Sequence, residues 1–311
     1  AQPLTGRLPG AAAWARDGRH LPAPGSSPAA VAAIFARTSA SDRQDLVRRY
    51  PLVLGNLDGA PLELRYQANR LAAKAAGPQY AALAAPDRRL LAFDPRGRGL
   101  VAEVFGDLDR ARRIAVLVPG DDTDAHTYLS GASSLERAAR TLYAATGDRV
   151  AVVAWADYVT PRGLGLDAAT ERLGAEGAHR LVRLLSALPR PASLLCHSYG
   201  SVVCGLAARE LPAGTVPDLV AIGSPGMHAD RAAQLTGAAR VWAVSHDSGE
   251  WIGRVSGIDV LGLGHGTDPT DPSFGARLLP STGAVGHSGY FAAGTASLAA
   301  MARVALTGDA R

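Results

Sequence analysis

The spacing of hydrophobic positions changes near residue 90, and this change divides the chain into two parts. Before it, three stretches carry apolar residues at helical spacing, beginning at Ser27-Pro28, at Ser41-Asp42 and at Pro61. Residues 1–25 are rich in glycine, proline and alanine and show no periodicity, which predicts an extended arm. We therefore expect an arm over 1–25 and a helical segment over 26–85.

From residue 90 onward, short apolar runs alternate with patterns typical of helices. The predicted strands cover 90–93, 100–105, 114–118, 150–155, 192–195, 219–222, 240–245 and 276–279. One long helix is predicted over 167–188, and two others are expected to be capped by Ser133-Ser134 and by Ser297. Repeated strand–helix units predict an α/β domain over 86–311, with a mostly parallel sheet between helices and an antiparallel first pair of strands.

The stretch Cys196-His197-Ser198-Tyr199-Gly200 lies between a predicted strand and a small-residue helix pattern. This strand–turn–helix context is the one that a nucleophile elbow requires, and its usual pattern is G-x-S-x-G. Here Cys196 replaces the first glycine. The sequence favours Ser198 as a nucleophile; the alternative is an ordinary turn in which the serine caps the helix.

A serine hydroxyl is a weak nucleophile, so it needs a general base and an acid that orients the base. His287 follows the last predicted strand and precedes the closing helix, which is where the base is expected. His265 comes before that strand and is expected to hold a loop together. The acid should follow the strand 240–245. We favour Glu250, which directly precedes the apolar pair Trp251-Ile252, over the alternative Asp247.

Acyl transfer also needs backbone N–H donors for the developing oxyanion. One donor is expected to be the N–H of Tyr199, and the second is expected from Gly120 or Asp121 in the loop after strand 114–118. Two further aspartates, Asp122 and Asp124, follow in the same loop. These carboxylates either cap turns or favour a cationic substrate.

The composition narrows the function classes. The chain has 311 residues, of which 47% are hydrophobic, enough to bury a large core. The net charge is +4 and comes almost entirely from arginine, since Lys74 is the only lysine. No basic run alternates with aromatic residues, so we expect no nucleic-acid partner. No histidine–cysteine spacing suits zinc and no phosphate-binding glycine loop is present, so we expect no metal and no cofactor.

Cys196 and Cys204 are the two cysteines. Cys204 lies four residues past Gly200 on the helix face that packs on the strand, so the thiols either form a disulfide or remain free and buried. No apolar run reaches the roughly 18 residues needed to span a bilayer. The chain begins at Ala1, which suits a removed secretory signal or a trimmed chain. We expect a secreted monomer, with a cytoplasmic location as the alternative.

The chain resembles an actinobacterial α/β-hydrolase family long known only as a domain of unknown function, from about residue 31 to residue 308. The motifs that carry the resemblance are Gly55-Asn56-Leu57-Asp58-Gly59, Arg65, Asn69-Arg70, Leu117-Val118-Pro119-Gly120, Cys196-His197-Ser198-Tyr199-Gly200-Ser201, Gly223-Ser224-Pro225-Gly226, Gly264-His265-Gly266-Thr267-Asp268-Pro269 and His287-Ser288-Gly289-Tyr290. The resemblance implies an α/β-hydrolase fold with an N-terminal helical segment and a Ser-acid-His triad. Ser198 and His287 match the triad, and Glu250 stands where the family usually has aspartate.

Together these features predict a serine hydrolase that cleaves a small-molecule or lipid-like ester through an acyl-enzyme. The same residues would also suit an amidase or peptidase, or an acyltransferase, because fold and triad are shared among these activities. A catalytically silent binding protein on a hydrolase scaffold is the alternative from a different class.

Overall fold

The computed structural model describes residues 7–132, 134–162, 168–245 and 265–310. Within these ranges, one sheet is built from β1 (Leu90–Asp94), β2 (Leu100–Phe105), β3 (Arg113–Val118), β4 (Val150–Ala156), β5 (Ala192–His197), β6 (Val216–Ile222), β7 (Ala238–Val244) and β8 (Arg277–Leu279). The strands lie in the order β1-β2-β4-β3-β5-β6-β7-β8. β2 is antiparallel to β1 and β4, and the remaining pairs are parallel. The predicted mostly parallel sheet with an antiparallel first pair is confirmed.

The sheet order places the ends of β3 and β5 side by side. β3 pairs with β4 on one side and with β5 on the other. The direction in which successive strands are added to the sheet therefore reverses at β3. At their carboxyl ends Val118 is the register partner of Cys196. Ligands of open α/β sheets bind at such a reversal. The loops that follow β3 and β5, which carry Gly120 and Ser198, therefore meet at this edge.

Helices cover both faces of the sheet. They are α1 (Ala11–Ala15), α2 (Pro28–Ala36), α3 (Ala40–Arg49), α4 (Pro51–Gly55), α5 (Leu62–Ala75), α6 (Leu135–Ala145), α7 (Ala168–Ala187), α8 (Gly200–Glu210) and α9 (Ala296–Thr307). Short 3₁₀ turns cover Pro78–Ala84, Ala232–Gln234 and Gly289–Phe291. α7 and α8 enclose one core with the sheet, and α6 and α9 enclose the other. None of the described helices is both long and apolar enough to cross a membrane.

Two predicted helix caps differ from those in the structure. α3 is capped by Ser39, whose Oγ accepts the N–H of Asp42 at 3.1 Å, so the helix begins before the predicted Ser41. α9 is capped by Thr295, whose Oγ1 accepts the N–H of Leu298. Ser297 instead donates its hydroxyl to the carbonyl of Tyr290 at 2.7 Å. In both cases the capping residue has the extended backbone that an N-cap needs, and it lies two residues earlier than predicted.

The segment predicted as an extended arm contains a helix, α1, which a buried indole stabilises. Trp14 is only 1% exposed, and its Nε1 donates to the carbonyl of Pro22 at 2.7 Å. Its ring packs edge-on against Tyr50, with 5.4 Å between centroids. α4 is a second helix beyond the prediction, because Pro51 occupies its first turn, where proline is favoured. Neither α1 nor α4 was recognisable from local composition, because the burial of each helix depends on residues that are distant in the sequence.

The helical segment has its own apolar cluster, built around Val31, Phe35, Leu46, Leu54 and Leu64. Polar side chains attach this segment to β1, which is an edge strand. An edge exposes unpaired backbone groups that must be covered or paired.

Three side chains from the N-terminal motifs of the sequence, Asn56, Arg65 and Asn69, make the contacts with β1. The side-chain amide of Asn56 pairs with the backbone of β1 as a neighbouring strand would. Its Nδ2 donates to the carbonyl of Phe93, and its Oδ1 accepts the Phe93 N–H. Arg65 donates to the carbonyl of Leu91 at 2.7 Å. Asn69 donates to the carbonyls of Leu90 and Gly55, both at 2.9 Å. The motif therefore joins the helical segment to the sheet.

We expect Asn69→Ala to lower the free energy of unfolding by about 2–4 kcal/mol, because two buried carbonyls lose their donor. Urea denaturation monitored by circular dichroism measures this change. Gln67→Ala is the control: Gln67 lies on the same helix and its side chain bonds Glu63 at the surface, so a change within about 0.5 kcal/mol is expected. Equal effects of the two substitutions would contradict the anchoring role of Asn69.

Candidate active site

Ser198 follows β5 in a strained turn. Its φ is +53°, in the left-handed region that residues other than glycine rarely adopt. Backbone bonds stabilise this conformation: the N–H of Ser198 donates to Ile222 at 2.9 Å, and its carbonyl accepts the N–H and the hydroxyl of Ser201. The side chain is half-buried. This is the geometry of a nucleophile elbow, where the turn presents the hydroxyl at the edge of the sheet.

Glycine is required beside this turn because β3 and the start of α8 approach closely. A Cβ on Gly200 would lie 2.4 Å from the carbonyl oxygen of Val118 and 2.6 Å from that of Pro119. Real Cβ atoms do not approach backbone oxygens so closely. Gly200 therefore allows α8 to start directly beneath the end of β3, which brings Ser198 next to the loop after that strand.

The loop after β3 packs closely against Ser198 at Gly120. A Cβ on Gly120 would lie 2.6 Å from Ser198 Cβ, 3.1 Å from Ser198 Oγ and 3.1 Å from the backbone nitrogen of Tyr199. No side chain fits there, so glycine is needed for this approach. The loop backbone therefore lies beside the serine hydroxyl and the N–H of Tyr199, where a second oxyanion donor is expected.

Tyr158 holds the loop that carries Gly120. Its hydroxyl donates to the carbonyl of Pro119 at 2.6 Å. Complete burial raises the pKa of this hydroxyl far above its ordinary value, so the phenol remains a donor. Tyr158 is a core residue, and its ring is stacked on Trp155.

Two glycines that interrupt the pattern of α7 make room for aromatic rings. A Cβ at Gly177 would lie 2.9 Å from the ring of Tyr158, and one at Gly174 would lie 2.7 Å from the hydroxyl of Tyr199. The helix itself is continuous through both positions. The two glycines are three residues apart, so they share one helix face.

His197 fixes the loop that carries His287. Its Nε2 lies 2.6 Å from the carbonyl oxygen of His287, and because a carbonyl only accepts, this nitrogen is the protonated one. The two imidazole centroids are 4.8 Å apart, and the edge of Tyr290 also meets the His197 ring. The side chain of His197 therefore lies against the predicted base.

The loop after β6 is joined to the elbow. Ser201 and Ser224 share a hydrogen bond of 2.6 Å between their hydroxyls. A Cβ on Gly226 would lie 2.5 Å from the carbonyl of His265, so this loop also contacts the Gly266-Thr267-Asp268 segment. His265 is buried beside the ring of Tyr199, and burial lowers its pKa. These contacts agree with the expected role of His265 in holding a loop.

Asp121 is a carboxyl group in an unfavourable place for a charge. Its Oδ1 is buried and has no hydrogen-bond partner in the part of the chain that the structure describes. Burial, and then the neighbouring Asp122, raise its pKa from 3.8 to about 6, while His287 acts in the opposite direction. Below about pH 6 the carboxyl group is therefore mostly neutral and repels a nearby oxyanion less than a carboxylate would.

Cys196 and Cys204 form a disulfide, with 6.5 Å between their Cα atoms. This is the first of the two states that the sequence left open. The bond joins the end of β5 to the first half of α8, on either side of Ser198. Both cysteines are fully buried.

The two candidate acids, Glu250 and Asp247, lie outside the described residues, as does Trp251. Ser198, Tyr199 and Gly120 come together, and His287 is connected to them through His197. Across the described ranges, no three His, Cys, Asp or Glu side chains are grouped so that they could hold a metal ion.

Comparison with protein families gives a match over the centre of the chain. A family model described as alpha/beta hydrolase matches residues 94–260. Two Mycobacterium tuberculosis proteins, each called uncharacterized, are 24% identical over alignments that cover 92% of this chain and 56% of theirs. The chain thus spans about half the length of the curated relatives it matches. The resemblance and the fold class predicted from the sequence are confirmed.

Solved structures show similarity of fold alone. A thioesterase domain from the curacin biosynthetic pathway has a TM-score of 0.44 and 14% identity, covering 71% of this chain and 99% of its own. A predicted CIB-like hydrolase from Thermoplasma acidophilum has a TM-score of 0.41 and 13% identity, covering 71% and 95%. An esterase from Pyrobaculum calidifontis has a TM-score of 0.41 and 12% identity, covering 86% and 98%. At such low TM-scores the similarity carries no information about function.

Asp121→Asn should stabilise the protein more at about pH 8 than at about pH 4. The pKa of this carboxyl is higher in the folded state than the ordinary value of 3.8, so folding favours its protonated form. That contribution is complete below about pH 4 and is lost as the pH rises through about 6. Asparagine keeps the shape and never ionises.

Calorimetric Tm values at both pH values measure this difference. Asp87→Asn removes an exposed carboxylate and serves as the control, with the same small Tm change at both pH values. A Tm difference between Asp121→Asn and the wild type that does not grow with pH would contradict the burial of a charged Asp121.

Proposed function

The chain belongs to the alpha/beta hydrolase family, and on this basis we propose that it is a serine hydrolase that cleaves a carboxylic ester through an acyl-enzyme. Ser198 is the proposed nucleophile and His287 the proposed base. Glu250 is the proposed acid, with Asp247 as the alternative. The N–H of Tyr199 and the Gly120–Asp121 turn are the proposed oxyanion donors.

One observation carries this proposal. The loop after β3 lies so close to Ser198 that a Cβ on Gly120 would be 2.6 Å from Ser198 Cβ and 3.1 Å from both Ser198 Oγ and the Tyr199 nitrogen. An ordinary strand-to-helix turn, in which the serine only caps a helix, has no need for the backbone of a neighbouring loop at this distance. Nor does it need a serine in the left-handed region, whose backbone strain is typical of functional sites.

In the proposed acylation step, Ser198 Oγ attacks the ester carbonyl while His287 takes the hydroxyl proton. The carbonyl π electrons move onto oxygen, and the resulting oxyanion is stabilised by N–H groups. When the tetrahedral intermediate collapses, the bond to the alkoxy oxygen breaks and His287 returns the proton to the departing alcohol. In deacylation His287 removes a proton from water, which attacks the acyl-enzyme. Collapse then breaks the bond to Ser198 Oγ, which takes the proton back from His287, and releases the carboxylic acid.

The disulfide supports a location in an oxidising compartment. Such bonds persist in secreted proteins and are rare in the cytosol. Because Cys196–Cys204 closes a loop around the nucleophile, we place the working enzyme outside the reducing cytoplasm.

A fluorophosphonate probe should label Ser198, because the probe reacts only with an activated serine hydroxyl. Ser198→Ala should remove the labelling and lower kcat for ester hydrolysis by at least about a thousandfold. Mass spectrometry of the labelled peptide and a panel of esters with matched amides measure both effects. The same assay assigns the acid, since a larger kcat loss in Glu250→Gln than in Asp247→Asn supports Glu250.

Ser186→Ala is the matched control for the nucleophile. Ser186 is exposed on α7, and its hydroxyl donates to the carbonyl of Val182 in the same helix. It should label and turn over like the wild type. Unlabelled folded protein, together with unchanged ester hydrolysis in Ser198→Ala, would reject the serine mechanism. Faster turnover of the matched amides would move the activity to an amidase.

His197→Ala should lower kcat by about tenfold to a hundredfold with little change in KM, because the carbonyl of His287 loses its donor and the base moves. His197 is a positioning residue in this scheme, since its bond is to the backbone of His287. Steady-state kinetics and the rate of fluorophosphonate labelling measure the change.

His197→Gln separates positioning from folding. Glutamine keeps an N–H donor at the end of its side chain, so it should restore part of the lost kcat. The Tm of both variants reports folding independently. If glutamine and alanine lose kcat equally, while Tm stays at the wild-type value, the hydrogen bond to His287 has no part in catalysis.

A further inference from the structure

A cavity of about 370 Å³ lies beside the loops that carry the proposed catalytic residues. Its wall includes Pro119, His197 and Ser288. These three residues are the immediate sequence neighbours of Gly120, Ser198 and His287. The cavity therefore lies next to the loops of these three residues, on the side of the sheet covered by α6 and α9. Its volume is at the lower end of the range for small-molecule sites.

The lining of this cavity is apolar with one positive charge. Leu117, Leu135 and Phe291 supply apolar walls, and Thr123 and Thr141 supply hydroxyl groups. Its lining residues include no aspartate or glutamate. Arg137, in the first turn of α6, is the charged side chain of the lining.

Arg137 is available to a ligand. It is exposed, and it forms no ion pair with any residue that the structure describes. Its neighbour Glu136 is already paired with Arg140 and lies 3.8 Å from Arg88. The N-terminus of α6 adds a positive potential at the same place. A guanidinium group next to an apolar wall suits a carboxylate attached to a short carbon chain.

We infer that this cavity binds the carboxylate of a small anionic ester and that Arg137 determines this specificity. The inference rests on the proposed function and defines its substrate class: an ester that carries a free carboxylate on its acyl or its alcohol part. The apolar walls hold the carbon chain between the carboxylate and the ester group. The ester carbonyl is then directed towards Ser198 and the loop that carries Gly120.

Kinetics on matched ester pairs test the inference. One pair carries the carboxylate on the acyl part, monomethyl glutarate against methyl pentanoate, and the other carries it on the alcohol part, acetylglycolate against ethyl acetate. Arg137→Ala should raise KM about tenfold or more for the preferred anionic ester and less than about twofold for its uncharged partner. Arg137→Lys should recover part of the loss. Arg112→Ala, at an exposed position before β3 and outside the cavity, is the control and should change neither.

Equal effects of Arg137→Ala on charged and uncharged esters, or no effect on either, would overturn the inference. A binding measurement separates this outcome from failure of the proposed function. Ser198→Ala protein should bind monomethyl glutarate in calorimetry, and adding Arg137→Ala should weaken that binding about tenfold. Binding that needs Arg137, in a protein that neither labels nor hydrolyses esters, would retain the anion site and reject the hydrolase. Hydrolysis without Arg137-dependent binding would do the reverse.

Discussion

The close approach of β3 and β5 at their carboxyl ends is the constraint on which the site depends. The left-handed turn at Ser198 is possible only if the following helix can start beneath the end of β3, and Gly200 provides the space. The same approach brings Gly120 against the serine side chain. Strain of about 1–3 kcal/mol persists only where surrounding contacts determine the conformation. Here the disulfide, the bond to Ile222 and the hydroxyl of Ser201 all act on the turn.

The hydrogen bonds that fix the loops of the site are made by neighbours of the proposed catalytic residues. Tyr158 holds Pro119, His197 holds the carbonyl of His287, and Ser201 bonds Ser224. Each bond connects a loop at the end of one strand to a different element of the fold. The loops after β3, β5 and β6 and the loop of His287 therefore form a single connected network. This network explains why the separate motifs of the sequence lie close together.

The order of elements, the elbow and the position of the proposed oxyanion loop were predictable from the sequence, because each is encoded in the spacing of nearby residues. Ser198 is recognisable from the strand before it and the helix after it. The role of His197 is not, since its bond joins residues 90 positions apart. Gly174 and Gly177 were the one signal for the buried tyrosines, as two glycines on one helix face indicate a close neighbour. The helix around Trp14 was not predictable either, because the contacts that stabilise it are made with Pro22 and Tyr50 outside the helix.

Charge is distributed unevenly around the proposed site. Asp121 lies in the proposed oxyanion loop, and its buried Oδ1, which has no partner among the described residues, disfavours ionisation. Arg137 lies in the wall of the cavity on the side of α6, without a carboxylate among the lining residues. A second negative charge beside Asp121 would raise the cost of forming an oxyanion, whereas one beside Arg137 would be neutralised. The proposed anionic ester would therefore be favoured in one orientation, with its carboxylate towards α6 and its ester group towards Ser198.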